Sequence, residues 1–451
     1  MAGAGFYVDP KYPDVIACLE ADGWAPVRHW TFPTCRLRFV NYAKVQWAYV
    51  KPAHIVNHLE HAVLLSQKHE LLAHLRLRHS LHHIAPRSAA SLDEWRHLFL
   101  YAQVLLVLKH PTSFASHLPT ALAIAAELQR RNPDTSVARA HGLLMVDTAF
   151  LNPLALDGLY SALQREVATS IPAAQHDEIQ AILRHLQACD PQYHFVATQN
   201  LWIAKPSGLS QGRGIELVTS LAELEAIWAS PMVVQQYIER PLTIHGRKFD
   251  IRQWVLITDV APLQVFWYES CYLRFASTAY NLASSSSLQD KTMHLCNNSI
   301  QKHVTSAAHG EIPEHMWPLP RFQRHLAYTY PYTLVLTVFR CRELGHEALW
   351  ESTLRPAMQF ACAEALASVA TKLRRVGEGF EWLGLDFLID ETFRVWLLEV
   401  NVSPDVSHST ATTAALVPPA TRDLLALVLR QDETRGWRRL DLASVQPPAY
   451  S

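Results

Sequence analysis

Two stretches decide how this chain is read: Arg247-Lys248-Phe249-Asp250-Ile251-Arg252 and Trp396-Leu397-Leu398-Glu399-Val400-Asn401-Val402-Ser403-Pro404. Side chains on a strand alternate between its two faces. Lys248, Asp250 and Arg252 therefore share one face, with Phe249 and Ile251 on the other. Such a face suits a charged ligand, and it equally suits a solvated edge or a set of internal salt bridges. Glu399 and Asn401 fall two apart on a second strand, so their oxygens point the same way. Asp386, in Gly384-Leu385-Asp386-Phe387, belongs to a neighbouring strand. Three hard oxygen donors without a complete protein cage are what magnesium on a nucleotide requires. An ordinary exposed hairpin is the plainer reading. The apolar Leu385, Phe387, Trp396 and Leu397 argue against it, because they would bury these carboxylates, and buried charge needs a cation or donors.

Upstream lies Lys205-Pro206-Ser207-Gly208-Leu209-Ser210-Gln211-Gly212-Arg213-Gly214-Ile215, after the short apolar strand Leu201-Trp202-Ile203-Ala204. Glycines after a strand let backbone N–H groups approach phosphate oxygens. The spacing fits neither the P-loop nor the dinucleotide fingerprint, and a plain turn reads equally well. Lys205 either snorkels to solvent or reaches a phosphate as a point charge. Arg274, in Tyr272-Leu273-Arg274-Phe275, is a further cation between apolar residues.

The chain has 451 residues, a prior of roughly two to three domains. Its 40 basic and 41 acidic side chains leave a formal net charge of -1, so nothing global draws it to nucleic acid. The seven cysteines have no CxxC spacing, which suggests reduced thiols inside a cell. No apolar run approaches the ~20 residues of a membrane span, and the N-terminus has no secretory pattern. A soluble monomer is expected, with no membrane and no nucleic-acid partner.

Strand, helix and strand follow one another through residues 6–8, 14–19 and 36–39. Leu37 and Phe39 are expected on one face of the last strand, with Arg36 and Arg38 exposed on the other. Residues 57–77 have a helical pattern. The Arg/His-rich segment 76–87 reads as a solvated face or a phosphate-facing one. Helices are expected over 95–109, 119–131 and 157–189. Strands follow at 201–204, 233–238, 249–259 and 264–268, then a flexible serine loop at 283–287. A helix at 322–326, a strand-like run at 332–341, a helix at 356–375, a hairpin around Glu391-Thr392 and a helix at 419–430 complete the pattern. The tail from Gln431 is expected to be loose.

The ordered set Trp202-Ile203-Ala204-Lys205-Pro206, Ser210-x-Gly212-x-Gly214-Ile215, Val234-Gln235-x-Tyr237-Ile238, the 247–252 stretch, His294-Leu295-Cys296-Asn297-Asn298-Ser299-Ile300-Gln301-Lys302, Gly384-x-Asp386-Phe387 and the 396–404 stretch resembles the tubulin tyrosine ligase-like family. The resemblance covers about 195–430 and, more loosely, 24–77. It implies an α/β (α+β) ATP-grasp fold, with an N-terminal α/β lobe over 1–87, a helical insertion over 88–194, ATP-grasp lobes over 195–430 and a tail over 431–451. Within the family the chain is most similar to the glycylase branch, through Phe249-Asp250-Ile251-Arg252-Gln253-Trp254, Tyr272-Leu273-Arg274-Phe275, His294-Leu295-Cys296-Asn297-Asn298 and Met316-Trp317.

The resemblance carries roles with it. Lys205 and Lys248 would contact ATP phosphates, with Ser210, Gln211, Gly212, Arg213, Gly214 and Asp250 also at the nucleotide. Gln235, Gln236, Tyr237 and Ile238 would line the adenine. Gln236 departs from the family, which commonly has lysine there. Asp386, Glu399 and Asn401 would hold Mg2+. Arg252 and Arg274 would neutralise the transferred phosphoryl group or the acceptor carboxylate, with Lys248 beside them. His294 and Asn297 would lie near the incoming amino acid, glycine being favoured. The implied reaction activates a glutamate side chain of a tubulin tail as an acyl phosphate, which the amine of the amino acid attacks. The implied setting is the cytoplasm and cytoskeleton, microtubules and a cilium or flagellum. A tubulin glutamate or tyrosine ligase remains open, as does a catalytically silent microtubule-binding scaffold. The chain shows no long basic extension after 430, so holding an acidic microtubule would fall to a partner or to a local surface such as 76–87.

Overall fold

The alternating stretch at 247 opens a 14-residue strand, Arg247–Val260, around which the larger unit of the molecule is laid out. A computed structural model describes residues 4–78, 85–111, 118–131, 173–189, 192–193, 199–228, 231–304, 312, 315–329, 349–433 and 436–448. The start of the helix expected at 157, the strand-like run 332–341 and the middle of the 76–87 segment lie outside these residues. The chain divides into two units. One comprises 1–71, 242–281 and 290–451, the other 72–241 and 282–289. Both mix helices with sheets, as expected for the α/β class. Among the described residues no helix is long and apolar enough to cross a membrane.

In the larger unit, one edge of Arg247–Val260 pairs with Tyr272–Phe275 and then Leu263–Tyr268; the other pairs with Glu381–Ile389. Glu381–Ile389 continues into a hairpin with Val395–Asn401. All these pairings are antiparallel. A smaller parallel sheet is formed by Ala25–Pro26, Gly5–Val8, Cys35–Phe39 and Ile55–Val56. The two sheets share one core. Phe6, Leu37 and Phe39 meet Trp254, Phe266, Trp382 and Trp437, together with Leu424 and Leu425 of the helix Ala411–Arg430. Each large aliphatic or phenylalanine side chain buried in this way stabilises the fold by roughly 1.5–3 kcal/mol.

The structure corrects several expectations. Leu37 and Phe39 do share the core face of their strand, but Arg38 on the opposite face is buried, its guanidinium 4.5 Å over the Trp30 ring. A loop covers what alternation alone read as solvent. The 57–77 pattern divides into the helices Val63–Ser66 and Lys68–Leu77, separated by Gln67, whose backbone is extended. The serine loop contains the short helix Ser285–Gln289. The helix expected from Pro419 starts at Ala411, capped by Thr410, whose hydroxyl accepts from Thr413 N–H at 3.2 Å. Pro418 and Pro419 sit inside it. A proline in a helix interior costs about 3 kcal/mol. Burial of Val417, Ala420, Thr421 and Leu424 offsets that cost. The tail is not loose throughout: Trp437–Leu440 pairs with Leu263–Tyr268, and Trp437 is fully buried.

The second unit has a four-stranded sheet in the order Ser88–Ala89, Met232–Gln236, Trp202–Pro206, Glu216–Val218. The helix Leu92–Lys109 covers it, with Trp95 edge-on to Trp202 at 6.1 Å. That helix also packs with Leu118–Arg131 and Ala173–Cys189 through Val104, Leu108, Ala121 and Ile182.

Candidate active-site residues

In the larger unit, strand alternation brings Lys248, Asp250 and Arg252 to one face, and all three are buried. Register then supplies their partners. Asp250 lies opposite Arg274, and Arg252 opposite Asp386. Arg274 donates through Nε and Nη2 to the two Asp250 oxygens at 2.7 and 2.8 Å. Arg252 donates in the same manner to Asp386 at 2.5 and 3.0 Å. Arg274 Nη2 also reaches Asp386 Oδ2 at 2.8 Å, which joins the two pairs. The cluster is two cations and two anions, buried and balanced. Isolated charges there would be costly; forked, charge-assisted bonds offset the desolvation.

Glu399 is directly opposite Asp386 in the hairpin, and Asn401 is opposite Gly384. Asn401 Nδ2 lies 3.3 Å from Glu399 Oε1 and 3.5 Å from Asp386 Oδ2. Gly384 has a steric reason to be glycine: a Cβ there would sit 2.9 Å from Pro404 Cβ and 3.2 Å from Arg252 Cδ. The two facing carboxyls titrate in opposite directions. Burial pushes Asp386 up, but the Arg252 and Arg274 guanidiniums outweigh it and hold the carboxyl well below its usual range. Burial, and then the Asp386 charge, push Glu399 up. Sequence reading missed Lys68, whose Nζ lies 3.8 Å from Glu399 Oε2. It opens the helix Lys68–Leu77, far upstream, and no spacing rule connects it to the hairpin.

These residues fit a hydrated divalent cation. A carboxylate offers about four lone-pair positions, and the two arginines take three of those on Asp386, one on Oδ1 and two on Oδ2. Glu399, half-buried beside another anion, has a raised proton affinity, which a cation would satisfy in place of a proton. Among the described residues no three His, Cys, Asp or Glu side chains are grouped so as to hold a metal ion by themselves.

Lys248 Nζ donates to the His294 carbonyl at 3.0 Å, and burial lowers its pKa from 10.5 to about 8. His294 ends the short helix Lys291–His294, with its ring edge-on to Tyr280 at 6.1 Å. Asn297 precedes the helix Asn298–Gln301 without a side-chain capping bond. Gln301 was not singled out in the sequence, yet its buried amide holds this segment. It accepts from Ser277 N–H at 2.9 Å and from the Ser277 hydroxyl, and donates to the Thr292 and Leu295 carbonyls at 3.1 and 2.5 Å.

In the second unit, Lys205 and Gln235 share a sheet face and meet. Lys205 Nζ donates to Gln235 Oε1 at 2.6 Å, and Gln235 Nε2 donates to Ser88 Oγ at 2.9 Å. Gln236 turns to the opposite, core-facing side with Trp202 and Val234, where Arg87 Nη1 donates to its Oε1 at 2.6 Å. Its side chain therefore leaves the face that carries Lys205. Tyr237 and Ile238 are buried, and Tyr237 N–H donates to the Leu201 carbonyl at 2.8 Å.

In the glycine-rich loop Ser210, Gln211 and Arg213 are exposed, and Gln211, Gly212 and Gly214 have φ of 63°, 74° and 67°. Gly214 is required twice over, since a Cβ there would also lie 2.9 Å from Pro206 Cγ; Gly208 has open space around it. At the described ends of the 76–87 segment two arginines are engaged within the unit, while Leu77 and Arg78 are exposed. Arg76 pairs with Glu94 at 2.9 Å, and Arg87 Nη2 donates to the Gln192 carbonyl at 2.9 Å.

Comparison with known proteins adds to this geometry. The sequence profile of the tubulin-tyrosine ligase family matches residues 157–435. Tubulin monoglycylase TTLL3 of Homo sapiens is 38% identical over 259 residues, 55% of this chain and 31% of that protein. Protein monoglycylase TTLL8 of Homo sapiens is 30% identical over 345 residues, 73% of this chain and 38% of the relative. Tubulin glycylase 3A of Drosophila melanogaster is 35% identical over 270 residues, covering 57% and 25%. The chain thus spans between a quarter and two fifths of the length of these relatives.

Proposed function

Because the chain belongs to the tubulin-tyrosine ligase family, we propose that it is an ATP- and magnesium-dependent ligase joining glycine to glutamate side chains of tubulin tails. The observation that carries this is the convergence of buried Arg252, Arg274 and Asp386 with half-buried Glu399 and Asn401, in a chain whose relatives are named glycylases.

A carboxylate is a poor electrophile, so the acceptor must first be activated. An oxygen of the glutamate attacks the terminal phosphorus of ATP; the bond to the bridging oxygen breaks, and ADP leaves. The glycine amine then attacks the acyl phosphate, an amide forms, phosphate departs and the amine loses its proton. Arg252 and Arg274 offset the charge on the transferred group. Lys248 and Lys205 are assigned to phosphate oxygens, and Lys68 is added to them by its approach to Glu399. Asp386, Glu399 and Asn401 would hold Mg2+, which supplies charge neutralisation on the phosphates. Gln235, Tyr237 and Ile238 are assigned to the adenine, with Ser210, Gln211, Gly212, Arg213 and Gly214 at the phosphates. His294 and Asn297 are assigned to glycine. The setting that follows is the cytoskeleton.

The test is stoichiometry. Radiolabelled glycine should enter tubulin with one ADP released per residue added. ADP release without label, or label from glutamate or tyrosine instead, overturns the assignment.

A further inference from the structure

Two buried arginines of the larger unit share a pattern that Arg38 and Arg247 do not follow; Arg247 is held by the Ala276 carbonyl, to which its Nε donates at 2.7 Å. Arg252 and Arg274 each present Nε and Nη2 as a fork, and an aspartate fills it with two oxygens. Arg38 is buried to a similar degree, 7% exposed against 5% and 6%. Among the described residues no carboxylate contributes to its environment. Its Nε is buried and makes no hydrogen bond. Its Nη2 lies 3.1 Å from His54 Nδ1, a nitrogen that also accepts the Lys51 N–H at 2.9 Å. That nitrogen is therefore the unprotonated one, and His54 is a neutral acceptor standing where the second carboxylate oxygen would be. The guanidinium face lies on Trp30. A buried cation supported by an indole, an imidazole and a thiol retains its full charge and one unused donor.

We propose that Arg38 anchors a carboxylate-binding site on the N-terminal lobe, and that its occupant is a glutamate-rich chain segment. A glutamate side chain would place one oxygen on Nε and the other on Nη2 in place of His54, completing the fork seen at Arg252 and Arg274. A chain segment, rather than a small anion, is indicated by the aromatic surface around the fork. Tyr49 is 61% exposed with its ring 5.7 Å from Trp30, and Phe32 is 47% exposed. The chain carries no net positive charge. That suits a short acidic peptide better than a nucleic acid, whose binding scales with the number of phosphates neutralised. The inference deepens the ligase reading and rests on it for the source of the peptide: a second glutamate of the acceptor tail, held away from the one that reacts.

The experiment is fluorescence anisotropy of a labelled decaglutamate peptide with the full chain, without nucleotide or glycine. Arg38→Met should weaken binding about tenfold or more while keeping the melting temperature, since it removes a charge that no carboxylate balances among the described residues. Tyr49→Ser should weaken it several-fold. Equal affinity in a folded Arg38→Met protein overturns the proposal. Should that variant not fold, equal affinity in Arg38→Lys and Tyr49→Ser overturns it in the same way. Tighter binding of a single-stranded oligonucleotide, lost in the same variants, also overturns it. Peptide binding lost in Arg38→Met without glycine transfer would sink the ligase reading alone. Glycine transfer with Arg38-independent binding would sink this inference alone.

Discussion

Asp386 and Glu399 face each other across one rung of the hairpin, and their surroundings push them apart in acidity. Two arginines keep Asp386 ionised, while burial and the Asp386 charge draw a proton to Glu399. A group whose pKa is raised on folding binds more protons in the folded state, so its contribution to stability falls as pH rises above the unfolded value. Magnesium would remove that loss. Glu399→Gln mimics the protonated acid, so its thermal stability without ligand should equal or exceed that of the parent. At a nucleotide concentration 100 times Kd the parent should gain about 2.7 kcal/mol. The variant should lose the magnesium-dependent part of this gain, read by thermal shift with ATP and either Mg2+ or a chelator. An unchanged magnesium dependence would refute the assignment of Glu399 to the metal.

Lys248 offers a second test. The gap between 10.5 and about 8 corresponds to roughly 3 kcal/mol at neutral pH, the cost of holding a buried ammonium. The folded pKa is lowered, so this cost is fully present below about 8 and is relieved as pH rises toward 10.5. Lys248→Met should therefore raise the melting temperature at pH 7 while abolishing ligation. ATP binding to the parent should take up protons between pH 8 and 9, because phosphate restores the charge on Lys248. Calorimetry in buffers of different ionisation enthalpy measures that uptake. No proton uptake would remove Lys248 from the phosphate contacts.

The Arg274 fork should prove structural as well as functional. Arg274→Ala leaves Asp250 and part of Asp386 buried without their cation, and the expected loss is about 3–5 kcal/mol in urea denaturation. Asp250→Asn added to Arg274→Ala should recover a measurable part of that loss, since the remaining charge is gone. Strict additivity of the two changes would contradict the cluster as described.

Gln236 and Arg87 should be coupled. Gln236→Lys places a second cation at the position now 2.6 Å from Arg87 Nη1, and the like-charge contact should destabilise the second unit by several kcal/mol. Combining it with Arg87→Gln should restore stability, checked by thermal melts of the four proteins. Equal loss with and without Arg87 would mean that the contact does not explain the glutamine.

Alternation made much of this legible in the sequence. The shared faces of Lys248, Asp250 and Arg252, and of Glu399 and Asn401, follow from a two-residue period. What the sequence could not supply was register. Pairing of Asp250 with Arg274 and of Arg252 with Asp386 depends on which strands become neighbours. Lys68 reaches Glu399 only through tertiary folding. Arg38 was misjudged because alternation reports which face a residue takes, not whether a loop covers that face. Trp437–Leu440 was hidden by the polar residues before it, although Trp437 itself marks a buried position. Gln236 stood out as a departure from a family pattern; the compensating arginine, Arg87, came from a segment read as a solvated or a phosphate-facing one.

The most direct test of the central claim is a mass spectrum of tubulin tails after incubation with the full chain, MgATP and equal glycine, glutamate and tyrosine. The account predicts glycine-sized increments on tail glutamates, absent with Glu399→Gln. Increments of glutamate or tyrosine, or no increment from a protein that binds MgATP, would contradict it.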